Sequence, residues 1–393
     1  MHGGATTLIL ISVAALLLPF LARTLRLPAV VLEILFGVLI GPHVVNIVHE
    51  TVFLEQLASL GFFLLMFLSG FEIDIGAFER QGPGQIFTAL AAFGLSLLLA
   101  YLLCTALGYG LFMTFVLATT SVGLVVPTLR ATRRTTTALG QLVLLTALLA
   151  DFLTLLGVTV FALVKERGAG IELLRIPAFF VLVAAALLAL RRAAWWRPER
   201  FERLFRSDDP EELGIRATLA LMLAFVGLSE VFGIEDILGA FLAGTVFALV
   251  FRHRGHLDRK LSGFSYGFFI PIFFINVGVH FEVSALGAPG VLADLLKLIA
   301  AAALVKVLPS LLFLLQNLSM REVLAAGTLL SARLSLIIAV AELGVQLGLI
   351  DRVLQAGVIL LAGLTATIAP TLFRLLAPPL PAPESAAGGQ ARW

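Results

Sequence analysis

The chain has 393 residues, of which 60% are hydrophobic and 13% charged, and its formal net charge is +2. Soluble domains carry roughly 25% charged residues, so this composition excludes a water-soluble globular protein. The near-neutral charge indicates no particular partner. Cys104 is the single cysteine, which excludes a disulfide framework and a cysteine-based metal site.

Apolar runs long enough to cross a hydrocarbon core of about 30 Å recur along the whole chain. We therefore predict an all-α integral membrane protein with about 13 transmembrane helices. The first run has no basic segment before it, so we interpret it as the first helix and not as a signal peptide. The predicted segments are 6–22, 28–41, 53–70, 85–107, 109–129, 139–164, 176–191, 215–232, 237–251, 263–281, 291–315, 322–346 and 353–376.

The distribution of basic residues predicts the orientation. With the N-terminus outside, most of the 27 Lys and Arg residues fall in the inner loops and the C-terminal tail. The outer loops then hold four: Lys165, Arg167, Arg175 and Arg352. The positive-inside rule therefore favours an outer N-terminus and a cytoplasmic C-terminus, in the cell (inner) membrane.

Six segments on each side of the central segment 176–191 predict two halves of opposite topology, as in inverted-repeat transporters. Residues 1–190 would form the first repeat and the connecting helix, and 215–377 the second repeat. Residues 191–214 would be a basic cytoplasmic linker, and 378–393 a short disordered cytoplasmic tail. The alternative is a helical bundle with a basic loop that acts as an orientation signal.

Two predicted segments contain residues that interrupt helices, at corresponding places in the two halves. Hydroxyl side chains can satisfy main-chain groups that a helix break exposes, and paired interrupted segments point to an ion site at the membrane midplane. The alternative is that these small residues only permit close helix packing. The residues are Thr119, Thr120, Ser121, Gly123 and Pro127 in the fifth segment, and Gly327, Thr328, Ser331, Arg333 and Ser335 in the twelfth.

Asp151 is the most informative charge, because it lies in the middle of segment 139–164 and no other charged residue lies within that segment. A carboxylate in this position must be protonated, paired with a cation or in contact with a wet cavity. A proton/cation exchanger passes through these states. The alternative is a structural salt bridge to Lys306.

Further charges lie within predicted segments and need partners inside the protein. Lys306 requires a carboxylate or several carbonyl groups around it. For Arg333 and Glu230 we favour structural ion pairs, and Glu33 and Glu342 are further acids that could neutralise Lys306 or Arg333.

Four motifs, in order, resemble those of the monovalent cation:proton antiporter superfamily. The first is the run 27–42, which begins LPAVVLEILFG and ends IGP, and the second is 60–72, which contains LMFLSGFE. The third is GAFLAG at 239–244, with Glu230 upstream, and the fourth is PIFFINVGV at 271–279. The chain is most similar to the NapA-type sodium/proton antiporters, and less similar to the membrane domain of the Kef potassium-efflux systems.

The resemblance implies thirteen helices divided between a core domain and a dimerisation domain, in a homodimer whose core domain moves like an elevator. It also implies that the ion binds where two broken helices cross. By motif position, Asp151 matches the ion-binding aspartate and Lys306 the lysine of the core domain. Thr120, Ser121 and Val122 match the unwound stretch.

The chain departs from the family pattern at two places. Many electrogenic members carry two adjacent acids, whereas Ala150 takes the first place here. In the twelfth segment, Leu334 and Ser335 follow Arg333 in place of Gly and Glu. With one acid at the site, one-for-one electroneutral exchange is the simplest expectation.

These features together predict a secondary antiporter that exchanges a monovalent cation for H⁺, with Na⁺ the first choice and K⁺ the second. Asp151 would bind the transported cation or a proton, and no other cofactor or nucleic-acid partner is expected. A cation channel lacks a recognisable filter motif. An intramembrane hydrolase would need a Ser/His pair, two buried Asp residues or a His/Glu metal cluster in the segments, so we expect no enzyme.

Overall fold

A computed structural model describes residues 3–25, 27–42, 44–48, 52–71, 82–168, 170–196, 211–251, 255–281 and 291–378. Within these ranges the chain is helical, with short connections. The central part of the predicted linker, 197–210, and the predicted tail beyond residue 378 lie outside the described residues.

The helices of the first half are α1 (Gly3–Leu25), α2 (Ala29–Ile40), α3 (Val52–Phe71), α4 (Pro83–Ala106), α5 (Phe112–Ala118), α6 (Val122–Ala131), α7 (Ala138–Arg167) and α8 (Arg175–Trp196). The second half contains α9 (Leu213–Phe232), α10 (Asp236–Val250), α11 (Gly255–Phe264), α12 (Ile270–Val279), α13 (Val291–Ser310), α14 (Met320–Leu330), α15 (Ser335–Gln346) and α16 (Arg352–Leu376). A π-helical turn, Ser265–Phe269, joins α11 to α12.

A helix or a helix pair lies at each of the thirteen predicted segments. Ten of the described helical stretches are long and apolar enough to cross a membrane, or eleven if the bent pair α14–α15 counts as one span. Two more, α2 and α10, are shorter apolar helices. The chain is therefore a multi-pass membrane protein, and the count of thirteen spans and the inverted repeat stay predictions.

Local sequence signals define where several helices begin. The Thr137 side chain accepts a hydrogen bond from the main-chain N–H of Gly140 at the start of α7, and Asp351 accepts one from Leu354 at the start of α16. Ser319 forms a capping box at the start of α14. Each of these caps satisfies one of the N–H groups that the first turn of a helix leaves without a helical partner.

The helices pack in two groups. The flanking group comprises α1, α2, α3, α9, α10, α11 and α12, and the crossing group comprises α4, α5, α6, α7, α13, α14, α15 and α16. Within the described residues the groups touch where α7 meets α10 and where α15 meets α3, and α8 packs on α9 and α10. Large apolar side chains, such as Leu16 and Phe20 of α1, are exposed on the outer surface, as expected of a lipid-facing protein.

The crossing of α3 and α10 depends on two reciprocal glycines. Gly70 lies directly against the main-chain oxygen of Phe241, and Gly244 lies directly against that of Phe67. A Cβ atom at either position would overlap the facing oxygen, so only glycine permits this approach. Close main-chain contact at small residues is the usual way in which helices pack in lipid.

The crossing of α2 and α12 has the same construction. Gly37 lies against the main-chain oxygen of Ile275, and Gly278 lies against that of Ile34. In the predicted repeat, α2 corresponds to α10 and α3 corresponds to α12. The predicted repeat would relate these two glycine crossings to each other, since each joins one helix of the first half to one of the second.

We expect Gly244→Ala to destabilise the protein, because the added methyl group must separate α3 from α10. Overpacking of this kind costs about 1–3 kcal/mol, and thermal unfolding in detergent should show a lower melting temperature. The matched control is Gly94→Ala in α4, where a Cβ atom meets nothing within 4 Å. Equal melting temperatures for the two variants would contradict the role assigned to the crossing.

Candidate ion-binding site

The first broken helix separates α5 from α6. Helix α5 ends at Ala118, and residues 119–121 are not helical, with extended main-chain angles at Ser121 (φ −139°, ψ 104°). The break leaves the carbonyl groups at the end of α5 and the N–H groups at the start of α6 without helical partners. Inside a membrane protein these groups need other partners, since an unsatisfied polar group in lipid costs several kcal/mol.

The second broken helix separates α14 from α15, which meet at an angle of 43°. Arg333 lies in this break and is fully buried. Its guanidinium group donates to the main-chain oxygens of Leu117 (2.8 Å) and Thr119 (3.1 Å), and to that of Ala302 in α13 (3.0 Å). Arg333 therefore joins the two breaks to each other, in place of the ion pair with an acid that we expected for it.

Lys306 of α13 reaches the same end of α5. Its ammonium group donates to the main-chain oxygen of Ala118 at 2.6 Å, and its side chain is 4% exposed. Three consecutive carbonyl groups, 117–119, thus accept hydrogen bonds from buried cationic side chains. The carboxyl end of a helix carries a partial negative charge, which favours cations at this position.

The side chain of Asp151, a residue of α7, lies at the start of α6, where a helix end favours a negative charge instead of a positive one. One carboxylate oxygen accepts a hydrogen bond from the main-chain N–H of Val122 at 3.3 Å. The amino end of a helix carries a partial positive charge and favours an anion. Asp151 and Lys306 also interact electrostatically, and both side chains are buried.

The structure brings most of the predicted site residues together. Thr120, Ser121 and Val122 are buried in or beside the first break, next to Asp151. Glu33 is buried but lies on α2 of the flanking group, and no hydrogen bond or ion pair between described residues involves it. We expected Glu230 among the buried charges. It is instead exposed near the end of α9, because its position on that helix faces away from the protein interior. The burial predicted for Glu230 is therefore wrong.

A cavity of about 390 Å³ opens between the two helix groups, on the predicted outer side. Helices α3, α10 and α12 line it from the flanking group, and α15 lines it from the crossing group. Four acids contribute to its wall, together with an asparagine and a histidine. They are Glu55, Glu235, Asp236, Glu342, Asn276 and His280.

Sequence reasoning missed three of these acids, Glu55 and the adjacent pair Glu235 and Asp236. Two adjacent acids directly before an apolar segment were the available signal. Glu235 lies in the connection between α9 and α10, outside the predicted membrane segments. Burial, together with the nearby negative charges of Glu166 and Asp236, raises the pKa of its carboxyl group to about 7.

The family model described as sodium/hydrogen exchanger, transmembrane, matches residues 11–377. The chain belongs to the sodium/hydrogen exchanger family. The resemblance to the monovalent cation:proton antiporter superfamily is thereby confirmed, and the family is one of transporters.

Named relatives of this exchanger family match most of the chain. It is 33% identical over 395 residues to the putative Na⁺/H⁺ antiporter YjbQ of Bacillus subtilis (strain 168), covering 95% of this chain and 63% of that protein. It is 26% identical to the probable Na⁺/H⁺ antiporter 3 of Methanocaldococcus jannaschii, covering 91% of this chain and 92% of that protein. The chain thus spans less than two thirds of the length of YjbQ.

The fold of this exchanger-family chain resembles a solved structure, the sodium proton antiporter MjNhaP1 from Methanocaldococcus jannaschii at pH 8. The TM-score is 0.61, and the match covers 94% of this chain and 95% of that chain at 16% sequence identity. At this identity the likeness concerns the fold alone.

We expect Glu235→Gln to raise the melting temperature at about pH 8 and to leave it unchanged near pH 4.5. Because the pKa is raised from 4.5 to about 7 in the folded protein, stability falls as the pH rises through this window. Because the amide of the variant cannot ionise, the variant does not lose stability in this pH range. Thermal unfolding at both pH values measures the difference, with Glu55→Gln, an exposed acid of the same cavity, as the control. An equal effect at both pH values would contradict the prediction.

Proposed function

We propose that the protein exchanges Na⁺ for H⁺ across the membrane, with Asp151 as the residue that binds either ion. The observation that carries the proposal is the position of this buried carboxylate at the first helix break, which Arg333 joins to the second break. A buried carboxylate is stable when a proton or a cation neutralises it. Because one site holds one ion or the other, binding of Na⁺ displaces the proton, and the two fluxes are coupled.

Asp151→Asn should fold and insert but show no Na⁺-driven proton movement, because an amide neither exchanges a proton nor carries the charge that attracts Na⁺. Proton flux into proteoliposomes under an imposed Na⁺ gradient measures this. The control is Asp351→Asn, which alters the exposed carboxylate that caps α16 and should retain exchange. Wild-type exchange by the Asp151 variant would refute the proposed site.

We also propose that exchange is electroneutral, one cation for one proton. Ala150 stands where many electrogenic relatives of the superfamily carry a second acid. Lys306 and Arg333 donate hydrogen bonds to main-chain oxygens of the first break, and we assign neither of them a transported proton. A single carboxylate then carries one Na⁺ in one direction and one H⁺ in the other, so no net charge crosses the membrane.

A membrane potential of either sign, imposed with K⁺ and valinomycin, should leave the initial rate of Na⁺/H⁺ exchange unchanged. Electroneutral exchange moves no net charge and therefore does not respond to voltage. Proton flux at equal pH gradients, with and without the potential, measures this. Faster exchange at one sign of the potential would contradict electroneutrality and would require a second charge carrier.

The arrangement of the two helix groups supports alternating access by an elevator-like movement. The ion site belongs wholly to the crossing group, and the acid-lined cavity lies between this group and the flanking group. Displacement of the crossing group along the flanking group would carry Asp151 from one side of the membrane to the other. Acids that line a cleft concentrate cations there, which fits an entrance for Na⁺ on the outer side.

The remaining parts of the proposal rest on the sequence. The resemblance implies a homodimer, and the distribution of basic residues supports an outer N-terminus and a cytoplasmic C-terminus in the cell membrane. The order of the helices supports inverted repeats at 1–190 and 215–377. K⁺ is the alternative cation, because carboxylate and hydroxyl oxygens bind both ions, and the same flux assay with K⁺ in place of Na⁺ distinguishes them.

A further inference from the structure

The hydroxyl group of Thr154 differs from those of the other buried threonines in α7 in its hydrogen bonding. Thr146 and Thr159 are buried in the same helix, and each donates to the main-chain oxygen four residues earlier, at 2.8 and 2.9 Å. Thr154 is fully buried, and its hydroxyl oxygen has no hydrogen-bond partner among the described residues. A buried polar group without a partner is unfavourable and calls for an explanation.

The neighbours of Thr154 on the helix show which way it faces. Ala150 belongs to a small apolar cluster with Phe93 of α4 and Ala118 at the end of α5. Asp151 meets the start of α6, and the main chain of Gly157 lies against the ring of Phe115. With about 100° between successive residues, Thr154 lies between the directions of Ala150 and Asp151, one turn further along. Its side chain therefore faces the first broken helix, as Asp151 does.

The same pattern appears at one other place in the site. Among the buried threonines of the described ranges, the hydroxyl oxygens without a partner are those of Thr114, Thr120 and Thr154. Thr114 lies beside the thiol of Cys104. This leaves Thr120, which lies in the break next to Asp151, and Thr154, which lies one helical turn from Asp151 on α7.

We propose that the hydroxyl oxygen of Thr154 is a ligand of the transported cation, together with the carboxylate of Asp151 and the hydroxyl of Thr120. This rests on the proposed exchange at Asp151. A metal cation is coordinated by several oxygens, whereas a proton needs a single oxygen. Thr154 therefore strengthens cation binding and adds no charge, so the site can bind Na⁺ against competing protons with one acid.

Thr154→Val keeps the shape of the side chain and removes the hydroxyl. We expect the KM for Na⁺ to rise about tenfold, the effect of losing one neutral hydrogen-bonding ligand, while the maximal rate stays within about twofold. The Na⁺ concentration that gives half of the Na⁺-dependent rise in melting temperature should increase by the same factor. Thr154→Ser, which keeps the oxygen, should restore both values.

The matched control is Thr159→Val, since Thr159 is buried in the same helix and its hydroxyl donates to Leu155. Its KM should equal that of the wild type. A rise in KM of equal size in both valine variants would assign the effect to packing and overturn the proposal, as would an unchanged KM in Thr154→Val. Should Thr154→Val not fold, Thr154→Ala is judged by the same criterion.

The outcome separates this proposal from the exchange function itself. If the wild type exchanges Na⁺ for H⁺, Asp151→Asn does not, and Thr154→Val matches the wild type, the exchange function stands and the ligand role of Thr154 is refuted. If the wild type shows no coupled flux, the exchange function fails, and the ligand role fails with it.

Discussion

Hydrogen bonds from Lys306 and Arg333 to the end of α5 connect the first broken helix to the second half of the chain. The break exposes carbonyl groups in the protein interior, where a polar group without a partner is costly. Two cationic side chains from the second half bind three of these groups and hold the breaks together. The charges are in turn stabilised by the negative end of the helix, so the break and the buried cations require each other.

The same break creates the opposite preference on its other side. The start of α6 presents N–H groups and a partial positive charge, and the carboxylate of Asp151 accepts a hydrogen bond from one of these N–H groups. The helix end therefore holds the carboxylate in place. Buried cationic side chains occupy one end of the break, and the proposed exchange site lies at the other.

The two helix groups are built by different means, which fits the proposed elevator-like movement of one group along the other. In the flanking group, reciprocal glycines bring main chains into direct contact at two crossings, which leaves little room for relative movement. In the crossing group, the buried cations Lys306 and Arg333 hold the short helix α5 beside the candidate ion site. The acid-lined cavity lies between the groups, where relative movement would open or close it.

The sequence by itself determined the helical membrane fold and the positions of both helix breaks, because apolar length and breaking residues are local signals. It also singled out Asp151 as the candidate site, because an acid in the middle of a span is a local signal too. It indicated that Lys306 needs a carboxylate or carbonyl groups, and only the tertiary structure decided between them, since the carbonyl groups of residues 117–119 become available when distant segments meet. The exposure of Glu230, the acids before α10 and the unbonded hydroxyl of Thr154 were likewise decided by packing. Whether a hydroxyl bonds to its own helix or faces a neighbouring one depends on side-chain rotation, which no sequence pattern records.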